Sequence, residues 1–138
     1  MRADWQEIPR GDVMPQYAGL YATMNPMGRI VMNRITYDKL GSPEAFVILY
    51  DRNNNRIGLK PAHGIVKNAY PALVSNNAGA KMVRAFRLLR EHNIELPHTV
   101  QFCDADISDD GILILDLRTA KLSPRASAHK RRKPSDAS

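Results

Sequence analysis

Residues 21–61 read YATMNPMGRIVMNRITYDKLGSPEAFVILYDRNNNRIGLKP. The order is strand (YATMN), glycine, strand (GRIVMN), short helix (RITYDKLG), strand (AFVILYD), polar turn (NNN) and strand (RIGLKP). A looser second pass covers residues 70–119, with YPALVSNN, GAKMV, RAFRLLREHNI, TVQFCDA, SDDG and ILILDLRT in turn. Asn25 and Gly28 align with Asn76 and Gly79, and the turn at 53–55 aligns with the turn at 108–111. A duplicated β-α-β unit of this size packs against its own copy. The spacing therefore predicts one pseudo-symmetric domain over 21–120, built from units 21–61 and 70–119. Paired units of this kind present two similar surfaces to a two-fold ligand such as duplex DNA.

Local chemistry fills in the pattern. AFVILY is a near-continuous run of branched and aromatic residues, too short for a helix, and reads as a buried strand. Pro43 precedes it, so the helix RITYDKL ends by about Gly41, where glycine suits the position after a C-cap. Arg56, Ile57, Gly58, Leu59 and Lys60 alternate as a half-buried strand should. In the second unit Met82, Phe86 and Leu89 fall at helical spacing and are expected to form the core face of a helix. Asp110-Gly111 marks a hairpin turn between the strands TVQFCDAD and ILILDL. Numerous strands and two short helices predict a β-rich α+β fold, a small barrel or sandwich decorated with helices.

Composition bounds the rest. With 138 residues and 43% hydrophobic content, the chain can build one compact core but not two. Its single Cys103 excludes an internal disulfide and is expected to be a buried thiol. The opening residues MRADWQEIPRG lack an apolar signal region, and no window approaches a membrane span. A cytoplasmic protein is expected, nucleoid-associated if it binds DNA, with no membrane partner.

The net charge of +6 is unevenly placed. Residues 13–90 carry eleven basic side chains against Asp38, Glu44 and Asp51, whereas residues 91–120 carry Arg118 against seven acids. A basic first half suits a polyanion, and the acidic strip suits repulsion from it or contact with a basic partner. The same charges also suit ordinary solvated faces. Residues 1–20 read as an N-terminal extension whose Trp5 would dock on an apolar surface. Residues 121–138 read as a disordered basic tail, with Lys130, Arg131, Arg132 and Lys133 able to bind phosphate without reading sequence.

Within the domain, Arg29, Arg34 and Lys39 cluster around the Gly28 turn and the first helix. Lys81, Arg84, Arg87 and Arg90 recur every three residues, expected as a basic stripe along the second helix. Such a stripe can track phosphates, and arginine can also read guanine edges. A solvated helix face accounts for the stripe equally well, and Arg29 could instead pair with Asp51.

The segment TMNPMGRIVMNRITYDKLG, followed by a strand and RIGLKP, resembles the AbrB/MraZ class of swapped-hairpin DNA-binding domains. Gly28-Arg29-Ile30 matches the central signature and Leu40-Gly41 the helix end, and the tandem arrangement is similar to that of the MraZ proteins. Asn25 stands where those proteins carry Asp, Asn33 where they carry Pro, and Tyr37 at the helix Arg; in the second unit Ala80 holds the Arg position beside Lys81. The resemblance implies a small pseudo-symmetric swapped-hairpin β-barrel with two short helices. It also implies duplex DNA binding and transcriptional control by an oligomer.

Catalysis finds little footing. His63, His92, His98 and His129 have no ligand spacing with one another or with Cys103. Asp104, Asp106, Asp109 and Asp110 resemble a calcium loop, but Leu115 stands where the closing Glu belongs. Neither a nucleophile elbow nor a phosphate-binding glycine loop is present. The expectation is a non-enzymatic protein with no metal site, cofactor or small-molecule substrate. Two alternatives to the DNA-binding reading stay open: an interaction or oligomerisation module using its bipolar charge, and an RNA-associated barrel stacking bases on aromatic side chains.

Overall fold

The computed structural model describes residues 20–123. The first unit runs β1 (Ala22–Met24), β2 (Arg29–Met32), α1 (Arg34–Lys39), β3 (Ala45–Asp51) and β4 (Arg56–Ala62). After it come β5 (Ala69–Pro71), β6 (Leu73–Val74), β7 (Lys81–Arg84) and α2 (Phe86–His92). The chain closes with β8 (Val100–Gln101), β9 (Asp106–Ile107), β10 (Leu113–Asp116) and β11 (Lys121–Leu122).

The strands form two antiparallel sheets, ordered β11-β8-β1-β2-β7-β6 and β5-β3-β4-β10-β9. The fold is thus β-rich α+β with two short helices, and strand pairing leaves the two sheets open rather than joined into one closed cylinder. One core lies between them. Met24, Ile30 and Met32 enter it from the first sheet, Phe46, Ile57, Leu59, Leu113 and Leu115 from the second, and Leu88 and Leu89 from α2.

Three hairpins share a side-chain acceptor and a left-handed glycine. Asn25 accepts from the backbone N–H of Gly28 at 2.9 Å and donates its own to Arg29 at 3.1 Å. Pro26 presets the turn, and Gly28 takes the left-handed conformation (φ 86°) that closes a three-residue loop. The Asn25 side-chain oxygen also accepts from Met27 and Arg29, at 3.0 and 2.9 Å. Asn76 repeats this with Ala78 and Ala80, at 2.9 and 3.1 Å, and Gly79 repeats the left-handed residue (φ 93°). At 108–111, Ser108 accepts from Gly111, which has φ 80°.

Strand register brings the two halves together in both sheets. The interval that separates Asn25 from Asn76 also separates Val31 from Met82, and β2 pairs with β7 with Val31 opposite Met82. In the second sheet one interval separates Ile57 from Leu113, Gly58 from Ile114 and Leu59 from Leu115; Gly58 lies opposite Ile114. In each sheet a strand of the first half therefore pairs antiparallel with a strand of the second, β2 with β7 and β4 with β10.

Several local expectations need correction. TVQFCDAD is not one strand: β8 joins the first sheet and β9 the second, with a bend between them. Phe102 turns into the core at that bend, and a strand that changes sheets must break its ladder there. Cys103 sits on the outside of the same bend and is exposed, not buried. Only the start of AFVILY is buried; Leu49 is exposed, because an antiparallel sheet leaves one face to solvent. Phe86 is not core but 54% exposed, and Met82 lies on a strand; the buried side of α2 is Leu88 and Leu89. Ordered structure also runs past 120. Lys121 and Leu122 pair with Gln101 and Val100, and Ser123 donates to the Thr99 carbonyl at 3.0 Å.

Candidate nucleic-acid interface

The outer face of the first sheet carries the arrangement of interest. In β2, Ile30 and Met32 are buried, so Arg29 and Val31 face outward. In β7, Val83 is buried opposite Ile30, so Met82 and Arg84 face outward too. The register then sets Arg29 directly opposite Arg84. Cross-strand partners have Cβ atoms about 5 Å apart, and like charges so placed repel. Both side chains are exposed, and among the described residues no ion pair neutralises either one.

Beside this pair, on the Arg29 side, the face is concave over about 600 Å³, lined by Thr23, Asn25, Arg29 and Val31 from the first hairpin and by Asn76, Ala80 and Met82 from the second. Both Asn turns point their side-chain oxygens back onto their own loops, which fixes the rims.

The remaining candidate cations are dispersed. The expected helical stripe of Lys81, Arg84, Arg87 and Arg90 does not exist as such, because α2 begins only at Phe86. Lys81 and Arg84 are on β7, where residues three apart point to opposite faces. The Lys81 Nζ lies 5.3 Å from the Tyr37 ring centroid, a cation–π contact. Burial, then the nearby Asp38 and Glu44 carboxylates, push the Tyr37 hydroxyl above its usual pKa. Arg34 pairs with Asp38 at 3.4 Å and Arg87 with Glu91 at 3.6 Å, each one turn along its own helix. Lys39 and Arg90 are exposed in the last turns of α1 and α2, where they complement the helix dipoles. Lys130, Arg131, Arg132 and Lys133, like Trp5, fall outside the described residues.

Arg29 does not pair with Asp51. That carboxylate is held below its usual range by the Asn54 amide at 2.8 Å and next by Arg56 at 3.1 Å. Asp104, Asp106, Asp109 and Asp110 lie exposed around β9 and its turn, at an edge of the second sheet. Among the described residues, no group of three or more His, Cys, Asp or Glu side chains could hold a metal ion, and no helix is long and apolar enough to cross a membrane.

Sequence reasoning selected Arg29 and Arg84 but placed them on unrelated elements. It also missed the concave face between the two Asn turns. The one handle in the sequence was the fixed interval between the two hairpins; RIVM and KMVR do not alternate apolar and polar residues, so Arg29 and Arg84 come together only once the strands pair about Val31 and Met82. A scan against family models, a search of curated proteins and a search of solved structures return no match.

Proposed function

We propose that this protein binds duplex DNA through the outer face of its first sheet and acts as a transcriptional regulator. The observation that supports this best is the Arg29–Arg84 pair: two exposed guanidinium groups set side by side with no counter-charge among the described residues. An arrangement that is unfavourable alone becomes favourable when an anion spans both groups, and a phosphodiester strand offers such anions in series. The pairing of β2 with β7 and of β4 with β10, strands of the two halves, also suits the swapped-hairpin arrangement that the sequence resembles. On that reading the chain works in the cytoplasm, on nucleoid DNA, as an oligomer, with no chemistry of its own.

The test is duplex binding by the full chain across a salt series. Arg29→Ala with Arg84→Ala is expected to weaken binding more than alanine at Lys130, Arg131, Arg132 and Lys133. The double variant should also lower the salt slope by about two, one per lost phosphate contact. If only the tail substitutions matter, the folded domain is not the DNA-contacting surface, and the interaction-module reading replaces this one.

A further inference from the structure

The duplicated architecture invites the idea that both ends of the molecule grip DNA alike. The side chains are not alike. The interval that carries Asn25 to Asn76 carries Arg29 to Ala80, and it carries Asn33 to Arg84. Both exposed arginines therefore fall at one end of the β2·β7 ladder, beside the Gly28 turn. One step beyond the pair Met32 and Lys81, the other end holds Asn33 and Ala80, which bear no charge and line the same concave face.

Cations do occur near that second end, but each is engaged. Arg34 lies against Gly79, whose added Cβ would come within 2.9 Å of the arginine Cδ. The Arg34 guanidinium is turned to Asp38 on its own helix. Lys81 is on the opposite face of its strand from Arg84 and covers Tyr37. Asn33 is committed as well, its side-chain oxygen accepting from the Thr36 N–H at 2.9 Å to cap α1.

We infer that each chain engages DNA at one end of the β2·β7 ladder only, so that the sequence repeat serves folding and not recognition. One chain then contacts one duplex segment, and a two-fold-symmetric DNA site requires two chains. This rests on the DNA-binding reading above and goes beyond it by naming which half of the surface is used.

Two measurements on the full chain test it, using a random-sequence duplex of about one helical turn, about 10 base pairs. Calorimetric titration is expected to give one duplex per chain. In a salt series, Arg29→Ala with Arg84→Ala should lower the slope by about two. Arg34→Ala with Lys81→Ala should leave it within experimental error of the parent. Arg29→Lys with Arg84→Lys should restore the slope, because a lysine still neutralises a phosphate; a fold-damaging substitution would not be rescued this way. The tail contributes equally to every variant and cancels in the comparison. Two duplexes per chain, or equal slope losses from the two alanine pairs, would overturn the single-ended inference while leaving DNA binding intact. No duplex binding by the parent chain would overturn both.

Discussion

Gly28 is the residue whose replacement should cost the fold most for the fewest added atoms. A Cβ built there comes within 2.9 Å of both the backbone nitrogen and the Cα of Phe86. The Gly28 carbonyl also accepts from the Ala85 N–H at 2.7 Å, so the turn and the start of α2 are tied at close range. Gly28→Ala therefore combines two penalties. A left-handed φ costs an alanine about 1 kcal/mol. Forcing backbone from backbone adds about 1–3 kcal/mol, the usual range for overpacking.

Gly111→Ala isolates the first penalty, because φ there is 80° and nothing stands within 4 Å of the added atom. Gly79→Ala is intermediate, since its neighbours belong to the Arg34 side chain, which can move. Urea denaturation followed by circular dichroism measures all three. With a slope of about 1.5 kcal/mol per molar, Gly28→Ala should lower the midpoint by about 2 M and Gly111→Ala by under about 1 M. Equal midpoints for the two, at unchanged slope, would refute the claim that the turn is clamped against α2.

Two further outcomes follow from the same geometry. Phe86→Ala should cost under about 1 kcal/mol because the ring is more than half exposed, whereas Leu89→Ala should cost about 2–4 kcal/mol in the same denaturation assay. Asn54→Ala should raise the Asp51 carboxyl toward the ordinary aspartate value, read by NMR titration of its side-chain carbon, since the Asn54 amide is the largest cause of the depression. The sign is fixed: a carboxyl depressed in the folded state adds stability above its unfolded pKa, about 3.9, and loses that contribution as pH falls through the folded value.

Much of this was legible from local chemistry. The turns at Asn25–Gly28 and Asn76–Gly79 could be aligned because a three-residue hairpin loop demands an acceptor at one end and a left-handed residue at the other. Likewise, Gly41 marks the end of α1 with φ 89°, as its place after Leu40 suggested. Patterns that pointed two ways were misread. Lys81, Arg84, Arg87 and Arg90 satisfy a helical period, yet the first two belong to a strand paired with β2. Helix periodicity over so short a window cannot outweigh a partner strand supplied from fifty residues away in sequence, about the spacing of one repeat.

Local sequence was enough for the turns, the β-rich class and the uneven charge, because each depends on neighbours within a few positions. Only in the folded chain does TVQFCDAD divide between two sheets, Phe86 stay outside the core and Arg29 meet Arg84. Those outcomes depend on the register between distant strands. A shift of one residue would send every outward side chain inward, so the register is set by the burial of Ile30 against Val83 across the whole core and by no local signal.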